Sequence, residues 1–279
     1  MKFSLMSYTF GRTGWFKDNP VQGMQRMCRF GQELGVDGVD MVTTHGLKAR
    51  EARKILDDHG LRTVCHTFSA GGLARDSHGE RCAAVDAARA GMEDAVILGT
   101  DKVMLVTPGK DKDGLPRDIA RRNYIRGLQE CAVCARQNCL TMTIENFPGA
   151  ASPFVISSDV LEAIREVSGL KLTYDNGNIF MGGEDPAVSF TRCAEHVAHA
   201  HFKDWDLMPA GEGREGLDGR RYQSALIGEG VLDHKACLAA MQAAGYQGYI
   251  NIEYENNKYP ADEATKLAVR YLQELMQQL

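Results

Sequence analysis

The chain has 279 residues, a formal charge of −5, 44% hydrophobic and 25% charged side chains, a composition that suits a soluble globular protein with a sizeable core. Its acidity, with no dense cluster of Lys and Arg, argues against nucleic acid as a partner. Apolar runs such as Val103 to Val106 fall far short of the roughly 20 residues that cross a bilayer, and Met1 to Met6 leads straight into Ser7 and Tyr8 without a signal-like segment, so the reading is no membrane partner and a cytoplasmic address.

From the start of the chain, short β-prone runs alternate with amphipathic stretches. The predicted strands are Lys2 to Ser7, Gly38 to Val42, Arg62 to Thr67, Lys102 to Val106, Thr141 to Glu145, Lys171 to Asp175, Val197 to Phe202 and Tyr249 to Glu253. The predicted helices between them are Val21 to Leu34, Ala49 to His59, Gly79 to Leu98, Arg117 to Gln137, Ser158 to Val167, Pro186 to Glu195, His234 to Ala244 and Ala261 to Leu279, with apolar residues recurring at spacings of three and four. Glycines at Gly35, Gly60 and Gly245 stand where a helix ends before a strand. Strict alternation implies a parallel sheet, and eight repeats predict closure into a single α/β domain, a (β/α)8 TIM barrel over residues 1–279. An open doubly wound sheet is disfavoured because no G-x-G-x-x-G follows the first strand. The stretch from Asp206 to Gly230 reads as an irregular, glycine-rich active-site loop able to cover the site.

The eight cysteines fall mostly inside apolar segments and read as reduced, buried thiols. Cys131 and Cys134 form a C-x-x-C in mid-helix, without the further ligands that a zinc ribbon needs.

In such barrels function gathers at the carboxyl ends of the strands. There stand Glu145-Asn146, Asp175 to Asn178, His199 to Asp204 and Asn251 to Glu253. Alternation in Thr141 to Glu145, Leu172 to Asp175 and Asn251 to Glu253 turns each acid toward the barrel axis. Three buried carboxylates need compensation, and no inward basic residue is expected close enough to neutralise all three, so a divalent cation is inferred. One imidazole with three carboxylates suits Mn²⁺, Mg²⁺ or Co²⁺, with Zn²⁺ also admissible.

These features resemble the xylose-isomerase-like superfamily of sugar-phosphate isomerases and epimerases. The resemblance rests on Ile144-Glu145-Asn146, Asp175 to Asn178, His201 to Asp204, Gly228 to Asp233 and Gly245 to Glu253, and it follows nearly the whole chain in order. It implies that Glu145, Asp175, His201 and Glu253 bind the metal. In the ketose 3-epimerase branch the two glutamates also move the proton, one on each face of the substrate carbon, which implies Glu145 and Glu253 as catalytic residues here. The chain departs from that branch at Asn178, where a second histidine is usual, and at Leu207, where an arginine is usual.

Substrate contacts are expected from Asn178, from His66 at the superfamily's inward-histidine position, from Lys203 by its parity with His201, and from Trp15, which with Tyr8 and Phe10 offers an apolar wall. A core role serves His66 equally well, and the aromatics equally suit a plug for the barrel rim. Arg214, Arg220 and Arg221 are candidates to clamp an anion, against a plain reading as solvated loop residues. The leading expectation is a metal-dependent isomerase or epimerase of carbohydrate metabolism, manganese among its metals, acting on a small carbohydrate-like substrate through an enediolate. The alternative keeps the first proton abstraction but expels a β-substituent, as a dehydratase or lyase on a keto-sugar or inosose. A DNA-repair endonuclease is disfavoured by Asn178, by Thr107 near another expected metal histidine, and by the acidic charge. A non-catalytic sugar-binding barrel and a homo-oligomeric state both stay open.

Overall fold

The computed structural model describes residues 1–69, 72–75, 77–106 and 114–279, which leaves Thr107 outside the described residues. Eight parallel strands close a barrel: β1 (Lys2–Met6), β2 (Gly38–Val42), β3 (Arg62–Phe68), β4 (Lys102–Leu105), β5 (Thr141–Glu145), β6 (Lys171–Asp175), β7 (Val197–Phe202) and, after an excursion, β11 (Tyr249–Ile252). Their spatial order is β1-β11-β7-β6-β5-β4-β3-β2, so the first and last strands pair, Lys2 beside Tyr249. The predicted barrel is what the chain forms, strand for strand.

Helices cover the outside: α1 (Ser7–Arg12), α2 (Pro20–Leu34), α3 (Ala49–Asp58), α4 (His78–Leu98), α5 (Arg117–Gln137), α6 (Ser157–Glu166), α7 (Asn176–Met181), α8 (Pro186–Cys193), α9 (His234–Ala243) and α10 (Ala261–Met276). Local chemistry sets their ends. Asn19 and Asp185 each accept a backbone N–H of the first turn ahead of a proline at the helix start, and Gly35 ends α2 at φ 73°, a left-handed turn that costs glycine little. The two shortest helices, α1 and α7, were not expected. Each begins directly at a strand's carboxyl end and lacks the length on which periodicity becomes visible.

The core lies between strands and helices. Leu5, Met41, Ile144, Tyr174, Phe202 and Ile252 point outward into it and are fully or almost fully buried. Each such side chain contributes about 1.5–3 kcal/mol by leaving water. The helices press close: a Cβ on Gly91 of α4 would stand 2.6 Å from the Phe68 ring of β3. Alternate residues face the axis. Asp40 of β2 bonds His199 and His201 of β7, two strands that are not neighbours, so this contact crosses the barrel interior.

The stretch after β7 corrects the expectation of an irregular loop. It folds as a three-stranded antiparallel sheet of β8 (Asp204–Met208), β9 (Arg214–Glu215) and β10 (Arg221–Ala225), in the order β8-β10-β9. Trp205 pairs with Ser224 and Leu207 with Tyr222. Buried Trp205 and Tyr222 join Met181 and Leu232 in a small core of their own. Short strands interrupted by glycine and charge hide this sheet from a periodicity reading. Among the described residues no helix is long and apolar enough to cross a membrane.

Candidate metal centre and active site

Strand register gathers the acids. β6 and β7 align Asp175 with His201, β11 and β7 align Asn251 with His201, and Glu253 follows two residues later on the same face. Ligand atoms of Glu145, Asp175, His201 and Glu253 all lie within 4.8 Å of one another, and all four residues are buried. His201 Nδ1 stands 2.8 Å from Glu145 Oε1 and 3.7 Å from Glu253 Oε2.

The electrostatics add a partner to the acids. Lys203, 2% exposed, turns inward and places Nζ 3.2 Å from Asp175 Oδ2, 3.1 Å from Glu253 Oε1 and 3.9 Å from Glu255 Oε1. The inward direction is the one that parity with His201 predicts, and the ammonium reaches two of the three expected ligand carboxylates. Gly177 makes room for it: a Cβ there would fall 2.4 Å from Lys203 Cγ. Compensation is still incomplete. Burial, with Lys203 opposing it and Glu145 adding to it, pushes Asp175 up to about 7. Burial likewise raises Glu253 to about 8, against the pull of Lys203 and with the neighbouring carboxylates helping. His201 rises well above its usual range, because hydrogen bonds to Asp40 and Glu145 outweigh the opposing burial. Lys203 rises too, as attraction to Asp175 and Glu253 overcomes its desolvation.

Such crowding fits a divalent ion. Asp175 Oδ1 accepts the Asn178 N–H at 2.7 Å, whereas buried Oδ2 has no hydrogen bond, the Lys203 ammonium being near but poorly aligned. The carboxylate thus keeps an oxygen without a hydrogen bond in a residue whose ligand atom lies within 4.8 Å of the other three. Four hard or borderline donors around one point are what Mn²⁺, Mg²⁺, Co²⁺ or Zn²⁺ requires.

A cavity of about 200 Å³ opens onto this cluster. Glu145, His201, Glu253 and Glu255 form its polar side, and Met6, Tyr8, Val42, Met104, Val106 and Phe147 its largely apolar side. Asn178 is fully buried beside Asp175, and neither its side-chain oxygen nor its nitrogen has a hydrogen-bond partner.

None of the four expected substrate contacts lines the cavity: Asn178 and Lys203 stand against Asp175 in the acidic cluster, and His66 and Trp15 lie elsewhere. His66 has the parity opposite to Thr67, which lines the cavity, and it shares its side of β3 with Phe68. Its Nδ1 bonds the Met41 carbonyl at 2.9 Å, and burial lowers its pKa, so it belongs to the helix-facing layer. Trp15 packs on Phe10, ring centroids 4.8 Å apart, with the Arg26 guanidinium 3.5 Å from its ring centroid, and does not line the cavity. Of the three aromatics after β1, Tyr8 alone lines it. Leu207 is exposed on β8. Arg220 pairs with Asp218 and Arg221 donates to the carbonyls of Glu212 and Gly213 in the turn between β8 and β9, whereas Arg214 reaches Glu255 at 3.7 Å, at the cavity's edge.

Sequence reasoning missed Asp40, His199 and Glu255. A parity signal was available for each. Asp40 alternates with Gly38 and Val42, His199 precedes His201 by two, and Glu255 follows Glu253 by two.

The sequence pattern of the xylose isomerase-like TIM barrels matches residues 28–275. The chain belongs to that family. Inosose dehydratase of Lacticaseibacillus casei is 27% identical over 157 residues, which cover 54% of this chain and 53% of that protein. The chain thus spans about half the length of the curated relatives it matches. Among solved structures, L-ribulose 3-epimerase aligns with a TM-score of 0.80 at 14% identity, over 100% of this chain and 97% of that one. The IOLI protein, solved with a bound zinc atom, aligns with a TM-score of 0.80 at 14% identity, over 100% and 99%. At these identities the likeness is one of fold.

Proposed function

We propose that this protein is a divalent-metal-dependent dehydratase of a small polyhydroxylated ketone, a keto-sugar or an inosose. The observation that carries the reading is the convergence of Glu145, Asp175, His201 and Glu253 on one point at the floor of a cavity of monosaccharide size. A divalent ion there supplies Lewis-acid polarisation of a carbonyl and its neighbouring hydroxyl, which acidifies the adjacent C–H. Glu145 or Glu253 accepts that proton. The electron pair released expels the hydroxyl one carbon further on, and a protonated group beside it, Lys203 or the second glutamate, hands over the proton with which it leaves as water. Apolar Met6, Val42, Met104 and Phe147 hold the carbon face and exclude solvent.

Two observations support elimination over isomerisation. The curated relatives of similar sequence include inosose dehydratases, and Asn178 and Leu207 replace the groups that the resemblance to ketose epimerases leads one to expect. One observation favours the second reading, an isomerase or epimerase: Glu145 on β5 and Glu253 beyond β11 approach the cavity from different sides, as a two-base reprotonation needs.

The test is to incubate metal-loaded protein with inososes and free ketoses in D₂O and to read product mass. Loss of water supports the dehydratase, and deuterium uptake at conserved skeleton supports the epimerase. Binding without either change leaves a sugar-binding barrel and overturns both.

A further inference from the structure

Beneath the metal centre, deeper in the barrel, lies a second cluster of Asp40, His199 and His201, exposed by 0%, 1% and 1%. Asp40 Oδ2 is 3.1 Å from His201 Nε2 and 2.6 Å from His199 Nε2, and Ser4 Oγ donates to Oδ1 at 3.4 Å. The two ring nitrogens of His201 thus face different partners, Nε2 toward Asp40 and Nδ1 toward Glu145 and Glu253.

An imidazole ligates a metal only through a nitrogen that carries no proton, and the hydrogen bond made by its other nitrogen selects the tautomer. We propose that Asp40 is a positioning residue that holds the proton of His201 on Nε2, presents the Nδ1 lone pair to the centre, and so sets the affinity for the ion. This rests on the reading of His201 as a ligand. His199 completes the device by donating to the same oxygen and fixing the carboxylate's direction. The geometry suits this better than a second ion: both contacts to Oδ2 are of hydrogen-bond length, and each is already made. The carboxylate also adds negative charge behind the ring, which strengthens Nδ1 as a donor to a cation. Asp40→Asn keeps the shape but removes that charge, and its amide can turn to donate to Nε2, which favours the wrong tautomer.

Metal-stripped protein is titrated with Zn²⁺ and with Mn²⁺ against a competing chelator, for wild type, Asp40→Asn and His201→Ala. The expected result is one equivalent in wild type and an affinity lower by about 10- to 100-fold in Asp40→Asn. Independently of any variant, ¹⁵N NMR of zinc-loaded wild type should show His201 protonated at Nε2 and bound through Nδ1. Wild-type affinity in Asp40→Asn, or the opposite tautomer in wild type, overturns the proposal. So do two equivalents in wild type falling to one in Asp40→Asn, since Asp40 would then be a ligand itself. Full affinity in His201→Ala overturns the assignment of the centre instead, which separates that failure from this one.

Discussion

The ammonium of Lys203 stands 3.1 Å from Glu253 Oε1, inside the ring of residues assigned to the metal. A positive charge there holds the acids together when no ion does, and repels the ion when one arrives. Lys203→Met should therefore lower the stability of the metal-free protein by about 3–5 kcal/mol, the usual loss when a buried pair is broken from one side. The same change should tighten metal binding by tenfold or more, since one opposing charge is gone at close range. Thermal unfolding with and without Mn²⁺ measures both. A variant destabilised equally in both states would show that Lys203 acts through packing alone.

Glu145→Gln and Glu253→Gln should separate proton transfer from binding. Gln keeps nearly the same outline and one oxygen for the metal, but it accepts no proton near neutral pH. A loss of about 10² to 10⁴ in rate is expected, with metal content largely kept. Exchange of the substrate's C–H with D₂O, followed on each variant, assigns the first base. Full exchange in both variants would move the base elsewhere.

Gly177→Ala tests how the site is built. The added methyl meets Lys203 Cγ at 2.4 Å and Trp205 Nε1 at 2.7 Å, so the lysine stem must shift. Overpacking of this kind costs about 1–3 kcal/mol. Turnover should fall further than stability accounts for, with the metal still bound. Unchanged kcat with a lowered Tm would remove Lys203 from the chemistry.

The stability of the metal-free protein should fall as pH rises, and metal should offset that fall increasingly. Asp175 and Glu253 have folded-state values raised from 3.8 and 4.5 to about 7 and about 8, so the metal-free fold binds more protons than the unfolded chain and loses stability as pH rises to about 8. His201, also raised, adds stability that is whole below its usual value of 6.5 and fades as pH climbs above it, in the same direction. Buried His45 and His66, lowered by desolvation, act oppositely, but their effect is complete by about pH 6.5. Metal binding releases the extra protons, so the Tm gained on adding metal should grow between about pH 6.5 and 8.5. A metal-free protein that gains Tm over that range would contradict the assignment.

Period-two alternation made the barrel and its crown of acids legible, because a strand end fixes which way a side chain points. The expectation for His66 came from the resemblance instead, and alternation within β3 corrects it: Thr67 lines the cavity, so His66 faces the helices. Trp15 lies beyond the reach of alternation: it follows a six-residue helix and packs with Phe10 and Arg26. Asp40 was invisible as a partner of His201 because the two are joined across the barrel, a relation that local pattern does not encode. The sheet of β8, β9 and β10 was hidden by strands too short to register as periodic.

Asp204 has a further role that follows from its contacts. Its buried carboxylate accepts N–H groups of Gly228, Gly230 and Leu232 and the ring of His234, so it ties the start of the antiparallel excursion to its end. The barrel below is closed whether that excursion is long or short. A lineage, or an engineer, can therefore exchange the segment between Asp206 and Leu226 as a cassette while Glu145, Asp175, His201 and Glu253 stay where the strands put them.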